Sequence, residues 1–228
     1  MDAPRPSPRV ARRRACQRER ILGIAARRFA TEGVESVRLD QIADEADVSR
    51  NTLYSHFATK EQLVEAVMRP ALEQGVAELR RLARRPARER IDGILALYLC
   101  LWREHASGLV VASRLRTLPP GPLADLHEAF AQGVLSALAA AARAGILRVR
   151  EPLIAARVVM RVAIPLLELY ARYDNLDTLF ADSMRGLLVV DAPDPAAPRR
   201  PRAATAAPAP RRQHADRVPS RRARPARG

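Results

Sequence analysis

From residue 21 to about 190, apolar positions recur at three- and four-residue spacing, and strand-like alternation is absent. Ile21, Leu22, Ala25, Ala26 and Phe29 mark one face of a first helix, and Gly33 supplies its stop. Leu39, Ile42, Ala43 and Ala46 outline a short second helix. Ser49 suits the N-cap of a third, which runs to Phe57 and is packed inward by Leu53 and Phe57. Thr59 followed by Gln62 forms a capping box for a fourth helix to about Leu82. Pro86 opens a fifth, with Ile91, Ile94, Leu95, Tyr98 and Trp102 on one stripe. A shorter helical segment, 108–117, ends before Pro119-Pro120-Gly121-Pro122. Leu123, Leu126, Phe130, Val134, Leu138 and Ala142 then give a long helix ending near Gly145. Pro152 sits just inside the next helix, and Pro165 is placed to kink it. Leu176, Leu179, Phe180, Ser183, Met184, Leu187 and Leu188 mark the last. The expected fold is all-α, with about nine helices.

Composition changes the picture mainly at the two ends. The 228 residues are 48% hydrophobic, enough for a sizeable core, yet the formal net charge is +14. Residues 1–20 carry +5 and residues 191–228 carry +7, which leaves only +2 for residues 21–190. Residues 1–15 are rich in Pro and Arg and are expected to be a disordered basic arm. The stretch 191–228 holds eight Pro and ten Arg and too few large apolar side chains to offset its ordering entropy, so a disordered tail is expected. Thirty-eight of the 39 basic residues are Arg and only Lys60 is Lys, the signature of GC-rich coding. Added DNA affinity and codon drift therefore remain equal readings of the tail. No uninterrupted apolar run approaches the ~18 residues of a membrane span, and the first residues lack the apolar segment of a secretory signal. Cys16 and Cys100 have no metal-ligand spacing and cannot make a disulfide framework. A cytoplasmic protein with no membrane partner and no cofactor is the expectation.

The stretch 38–57 carries the chemistry. Two short helices, 38–46 and 50–57, are joined by Asp47, Val48 and Ser49, the form of a helix-turn-helix whose second helix enters the DNA major groove. With Leu53 and Phe57 turned inward, Arg50, Asn51, Thr52, Tyr54, Ser55 and His56 remain for base edges and phosphates.

The wider pattern resembles the tetracycline-repressor (TetR) family of bacterial transcription regulators. It comprises Phe29 with Glu32-Gly33, Ile42-Ala43, Val48-Ser49, Thr52-Leu53-Tyr54, His56-Phe57, and Lys60-Glu61 with Leu63, in order and at the family's spacing. The resemblance implies an N-terminal DNA-binding domain, residues 16–62, followed by a helical effector-binding and dimerisation domain, residues 63–190. It assigns Ser49, Arg50, Asn51, Thr52 and Ser55 to bases or nearby backbone, and Tyr54, His56 and Lys60 to phosphates. Two positions depart from the family. Arg38 stands where Thr or Ser usually caps the second helix, and can reach a phosphate instead. Asp47 replaces a turn glycine and tolerates the left-handed conformation. Arg12, Arg13 and Arg14 are candidate minor-groove contacts from the arm.

Family resemblance further implies an effector pocket and a homodimer formed by the last two helices. Candidate pocket residues are Tyr98, Trp102, His105, His127, Phe130 and Met160, although an aromatic or Met at helical spacing is more often plain core. Neither His105 nor His127 has a partner at metal-ligand spacing, so no metal site is expected. Arg157, Arg161 and Glu168 share one side of the penultimate helix and suit an acidic ligand, pairs across a dimer or a solvated face. Cys100 reads as a small core residue and Cys16 as an exposed one; a redox role is open to either. The implied function is a dimeric regulator, a repressor above all, that binds double-stranded operator DNA and is released by a small-molecule effector. An activator of the same fold and a basic architectural DNA-binding protein acting through its Arg-rich ends are the alternatives. No phosphate-binding glycine loop, H-E-x-x-H pair or nucleophile–base set points to an enzyme.

Overall fold

A computed structural model describes residues 7–115, 118 and 120–189. They form eight helices: α1 (Pro8–Glu32), α2 (Leu39–Glu45), α3 (Arg50–His56), α4 (Lys60–Leu82), α5 (Ala87–Arg114), α6 (Pro122–Arg143), α7 (Pro152–Tyr170) and α8 (Leu176–Leu188). The nine-helix expectation becomes eight because the fifth helix and the following segment are one element. That element bends at His105, whose backbone (φ −140°, ψ 31°) leaves the helical region.

The largest difference lies at the N-terminus. α1 starts at Pro8, so residues 8–15 are helical and not a disordered arm; residues 1–6, like the expected tail 191–228, lie outside the described residues. Pro8 sits in the first turn, where its missing N–H costs nothing. The extension buries little apolar surface, but two side chains fasten it. Arg14 Nη2 donates to the Ser55 carbonyl at 3.2 Å, and the Arg18 guanidinium lies 5.1 Å from the Phe57 ring centroid.

Ile21, Ala25 and Phe29 of α1 meet Ile42, Ala43, Leu53 and Leu63, all 1% exposed or less, in the core of the N-terminal helices. α4 runs unbroken from this unit into a bundle with α5 and α6, α7 packs on α5 and α6, and α8 packs on α7 and α5. Pro165 lies within α7, which continues through it. Beyond the bend in α5, Gly108 crosses α4 so closely that a Cβ there would lie 2.7 Å from the Val67 carbonyl oxygen. An 18-residue window of α5 has a mean hydropathy of 1.3, nearer to a spanning helix than uninterrupted runs suggested. Half of that window is buried inside the bundle, as in the core helix of a globular domain.

Candidate nucleic-acid interface

The turn between α2 and α3 is fixed by its own chemistry. Asp47 takes φ 51°, and the Val48 N–H reaches back to the Ala43 carbonyl at 3.1 Å. Ser49 Oγ then accepts from the Thr52 N–H at 3.1 Å and lies 2.9 Å from the Thr52 hydroxyl, closing the first turn of α3. Leu53 and Phe57 are buried beneath it, and Arg50, Asn51, Tyr54 and Ser55 are exposed above it. Tyr54 is 48% exposed, unusual for so large a side chain without a partner surface. The sequence-derived candidates Ser49 to Ser55 thus share one end or face of α3. Ser49 and Thr52 are already engaged in capping, and Ser55 Oγ donates to the Thr52 carbonyl at 2.7 Å.

Arg38 precedes α2 and does not cap through its side chain. Instead its N–H donates to Gln41 Oε1 at 2.9 Å, while the Gln41 N–H donates to the Arg38 carbonyl at 3.2 Å. The freed guanidinium lies 3.4 Å from Asp40, which also pairs with Arg50 at 2.8 Å. One carboxylate therefore holds an arginine from each helix of the motif, a role that the pattern of outward residues did not reveal. Both guanidinia remain well exposed.

His56 and Lys60 differ from the phosphate-holding expectation in their surroundings. Desolvation, then Arg14 and Arg18, lower the His56 pKa, favouring a neutral ring that donates one hydrogen bond but carries no charge. Lys60 opens α4 and donates from Nζ to the Glu35 carbonyl at 3.3 Å, tying α4 to the loop after α1. Arg12, Arg13 and Arg14 lie on helical α1 and not on an arm, and Arg14 is spent on the end of α3.

A cavity of about 710 Å³ opens among α4, α5, α6 and α7. Of the six candidate pocket residues, Tyr98, His127, Phe130 and Met160 line it; Trp102 and His105 do not. Trp102 packs half-buried against the core, and His105 Nε2 lies 2.8 Å from Gln74 Oε1 beside the bend in α5. Tyr98 meets Phe130 edge to face at 6.0 Å, and its hydroxyl donates to Met160 Sδ at 3.4 Å. Burial raises the Tyr98 pKa and lowers that of His127, so both rings are neutral at ordinary pH. Arg114 and Arg161 also line the cavity. Arg161 was legible as a candidate for an acidic ligand; Arg114 carried no sequence signal.

Residues 21–67 match the family model described as bacterial regulatory proteins, tetR family. Among curated proteins, the HTH-type transcriptional repressor KstR2 of Mycolicibacterium smegmatis is 30% identical over 118 residues, 50% of this chain and 57% of that protein. The protein of the same name from Mycobacterium tuberculosis gives 30% over 117 residues, 50% and 58% of the two chains. The match thus spans little more than half the length of these relatives. The fold is similar to that of a tetR-family regulatory protein from Rhodococcus RHA1, at a TM-score of 0.63 and 20% identity, covering 77% of this chain and 98% of that one. It is also similar to AibR, solved in complex with isovaleryl coenzyme A and operator DNA, at 0.58 and 19%, covering 75% and 97%. Motif, family model and fold agree in their likeness to the tetR family of bacterial regulatory proteins: the family model covers the helix-turn-helix and the helices around it, and the described residues share the fold of solved tetR-family regulators.

Proposed function

We propose that this protein is a dimeric, ligand-responsive transcriptional regulator that represses from a palindromic operator and is released when a small-molecule effector fills the cavity between α4 and α7. The observation that carries this reading is α3 itself, a capped helix on a fixed turn with a polar outer face of Arg50, Asn51, Tyr54 and Ser55. In the bound state Arg50, Asn51, Thr52 and Ser55 read base edges. Tyr54, Arg38, His56 and Lys60 meet the backbone, His56 as a neutral donor and Lys60 by leaving the Glu35 carbonyl. Repressor activity in the curated relatives, and a ligand and operator DNA bound by AibR, support the same reading.

Dimerisation places a second copy on α7 and α8. Those helices and the turn between them expose Leu153, Ile154, Leu169, Tyr173 and Leu187, each 44–53% accessible. A two-fold pair of α3 helices then demands an operator of two half-sites about one helical turn apart. Regulators of this kind act in the cytoplasm.

The test is selection of genomic fragments by the purified full chain at physiological salt, followed by sequencing. Sharp peaks that share a palindrome, lost on Asn51→Ala with Tyr54→Ala, are the expected result. Diffuse enrichment that disappears when residues 191–228 are deleted would refute it in favour of an architectural protein acting through its charged ends.

A further inference from the structure

The cavity walls specify the chemistry of what fills them. Leu72, Leu109, Phe130 and Ile164 supply apolar surface, and among the described residues no Asp or Glu lines the space, whereas two arginines do. Arg161 has no ion-pair partner among the described residues. The buried Tyr98 hydroxyl has only a thioether sulfur to donate to, a weak acceptor that a ligand oxygen would outcompete. A space of mixed apolar and polar lining, with Arg161 unpaired among the described residues, Arg114 paired only at its edge with Glu168 and a hydroxyl donor on a weak acceptor, disfavours a cation and suits a molecule that brings an anionic group to Arg161.

Arg114 has a second role. It ends α5, and from the cavity wall its Nη1 donates to the Ala30 carbonyl in the last turn of α1, while Nη2 pairs with Glu168 of α7 at 2.6 Å. The last four carbonyls of a helix have no partner within it, so Arg114 satisfies one that α1 leaves open. Arg114 therefore both lines the cavity and fastens the last turn of the helix that leads into the helix-turn-helix unit.

Resting on the regulator reading above, we propose that the effector is an apolar molecule bearing an anionic group held by Arg161 and Arg114, and that Arg114 transmits its arrival by giving up the Ala30 carbonyl. A guanidinium has five N–H donors, and Arg114 spends one on Ala30 and one on Glu168 here; an anion that draws the fork toward Arg161 turns the Nη1 donor away from the Ala30 carbonyl, and the relay consists of that exchange. Ligand affinity and α1 attachment are thereby linked, and the ligand shifts the equilibrium by its difference in affinity for the two states.

The experiment uses the full chain and needs no operator. Carboxylates from hexanoate to tetradecanoate, with phenylbutyrate, are titrated by calorimetry, each beside the corresponding alcohol. At least one acid should bind tenfold or more tightly than its alcohol, and Arg161→Gln should remove that preference. Hydrogen exchange at residues 30–34 should rise when the acid binds to the wild type, stay constant in Arg114→Gln, and respond partly in Arg114→Lys, which retains a charged donor. Circular dichroism checks that each variant is folded. If no acid binds, or alcohols bind as well as acids, the anion assignment is overturned; if exchange in Arg114→Gln rises as in the wild type, the relay is overturned. Both readouts stand even if genomic selection finds no operator, so failure here and failure of the regulator reading are separable.

Discussion

Replacing Gly108 by Ala isolates the contact on which the crossing of α4 and α5 depends. The change has two opposed effects. An alanine in a helix interior is favoured over glycine by about 0.8–1 kcal/mol, because the unfolded chain loses freedom and the helix gains a better former. Against this, the new Cβ would stand 2.7 Å from the Val67 carbonyl oxygen, a backbone atom that cannot rotate away. Reaching an ordinary separation needs roughly half an ångström of movement between two packed helices, and overpacking of that kind costs about 1–3 kcal/mol. The net expectation is destabilisation of about 1 kcal/mol.

Gly23 provides the internal control. It too lies within a helix, α1, but a Cβ there meets nothing within 4 Å, so Gly23→Ala keeps the propensity gain without the clash. The two variants should differ by about 2 kcal/mol, or roughly 4–8 °C in melting temperature for a domain of this size. Thermal unfolding at one fixed protein concentration checks this, since a dimer's stability depends on concentration. A Gly108→Ala protein as stable as the Gly23→Ala protein would refute the close approach of α5 to α4.

Three further outcomes are expected. His56 and His127 have folded pKa values below the usual 6.5, so the unfolded chain binds more protons near and below that value; stability should fall as pH drops through 6.5, and His127→Gln should flatten a melting-temperature profile against pH. Leu169→Glu with Leu187→Glu should convert a dimer to a monomer in analytical ultracentrifugation while leaving helical content unchanged, because both side chains are exposed within the single chain. Asp40→Asn removes the carboxylate that holds Arg38 and Arg50; binding to DNA of arbitrary sequence should strengthen severalfold and its salt dependence steepen, as fluorescence anisotropy against salt would measure.

The helices and the outward face of α3 were legible because they depend on local chemistry. Period, caps and turn residues act over a few positions, and Ser49 on Thr52, Gln62 near Thr59 and Asp47 at positive φ all follow from them. What the chain could not reveal depends on partners distant in sequence. The helicity of residues 8–15 was hidden because Arg14 and Arg18 find their partners about 40 residues later, at the C-terminal end of α3 and just beyond it. Periodicity correctly placed Tyr98, His127, Phe130 and Met160 inward but equally admitted Trp102 and His105, since facing the bundle is not the same as facing its cavity. Arg114 ends a helix and reads as an ordinary favourable charge there; its bond to Ala30 spans 84 positions.

These distant contacts converge on α1. Near its start, Arg14 and Arg18 hold the end of α3; in its last turn, Ala30 is held by Arg114 from the cavity wall. A helix of 25 residues is about 37 Å long and moves as a rod, so a tilt of about 5° displaces one end by roughly 3 Å relative to the other. Glu45 strengthens the link by accepting hydrogen bonds from both Arg27 and Arg28, which binds α2 to the same rod. A disturbance at Ala30 is then passed to α2 and α3 together and not absorbed by the turn between them. On an operator of two half-sites, as proposed, the distance between paired α3 helices would be fixed, and a displacement of a few ångströms would suffice to break their register with the major groove. In the proposed regulator, a long α1 fastened at both ends would let a small rearrangement around one arginine alter DNA affinity without refolding any element.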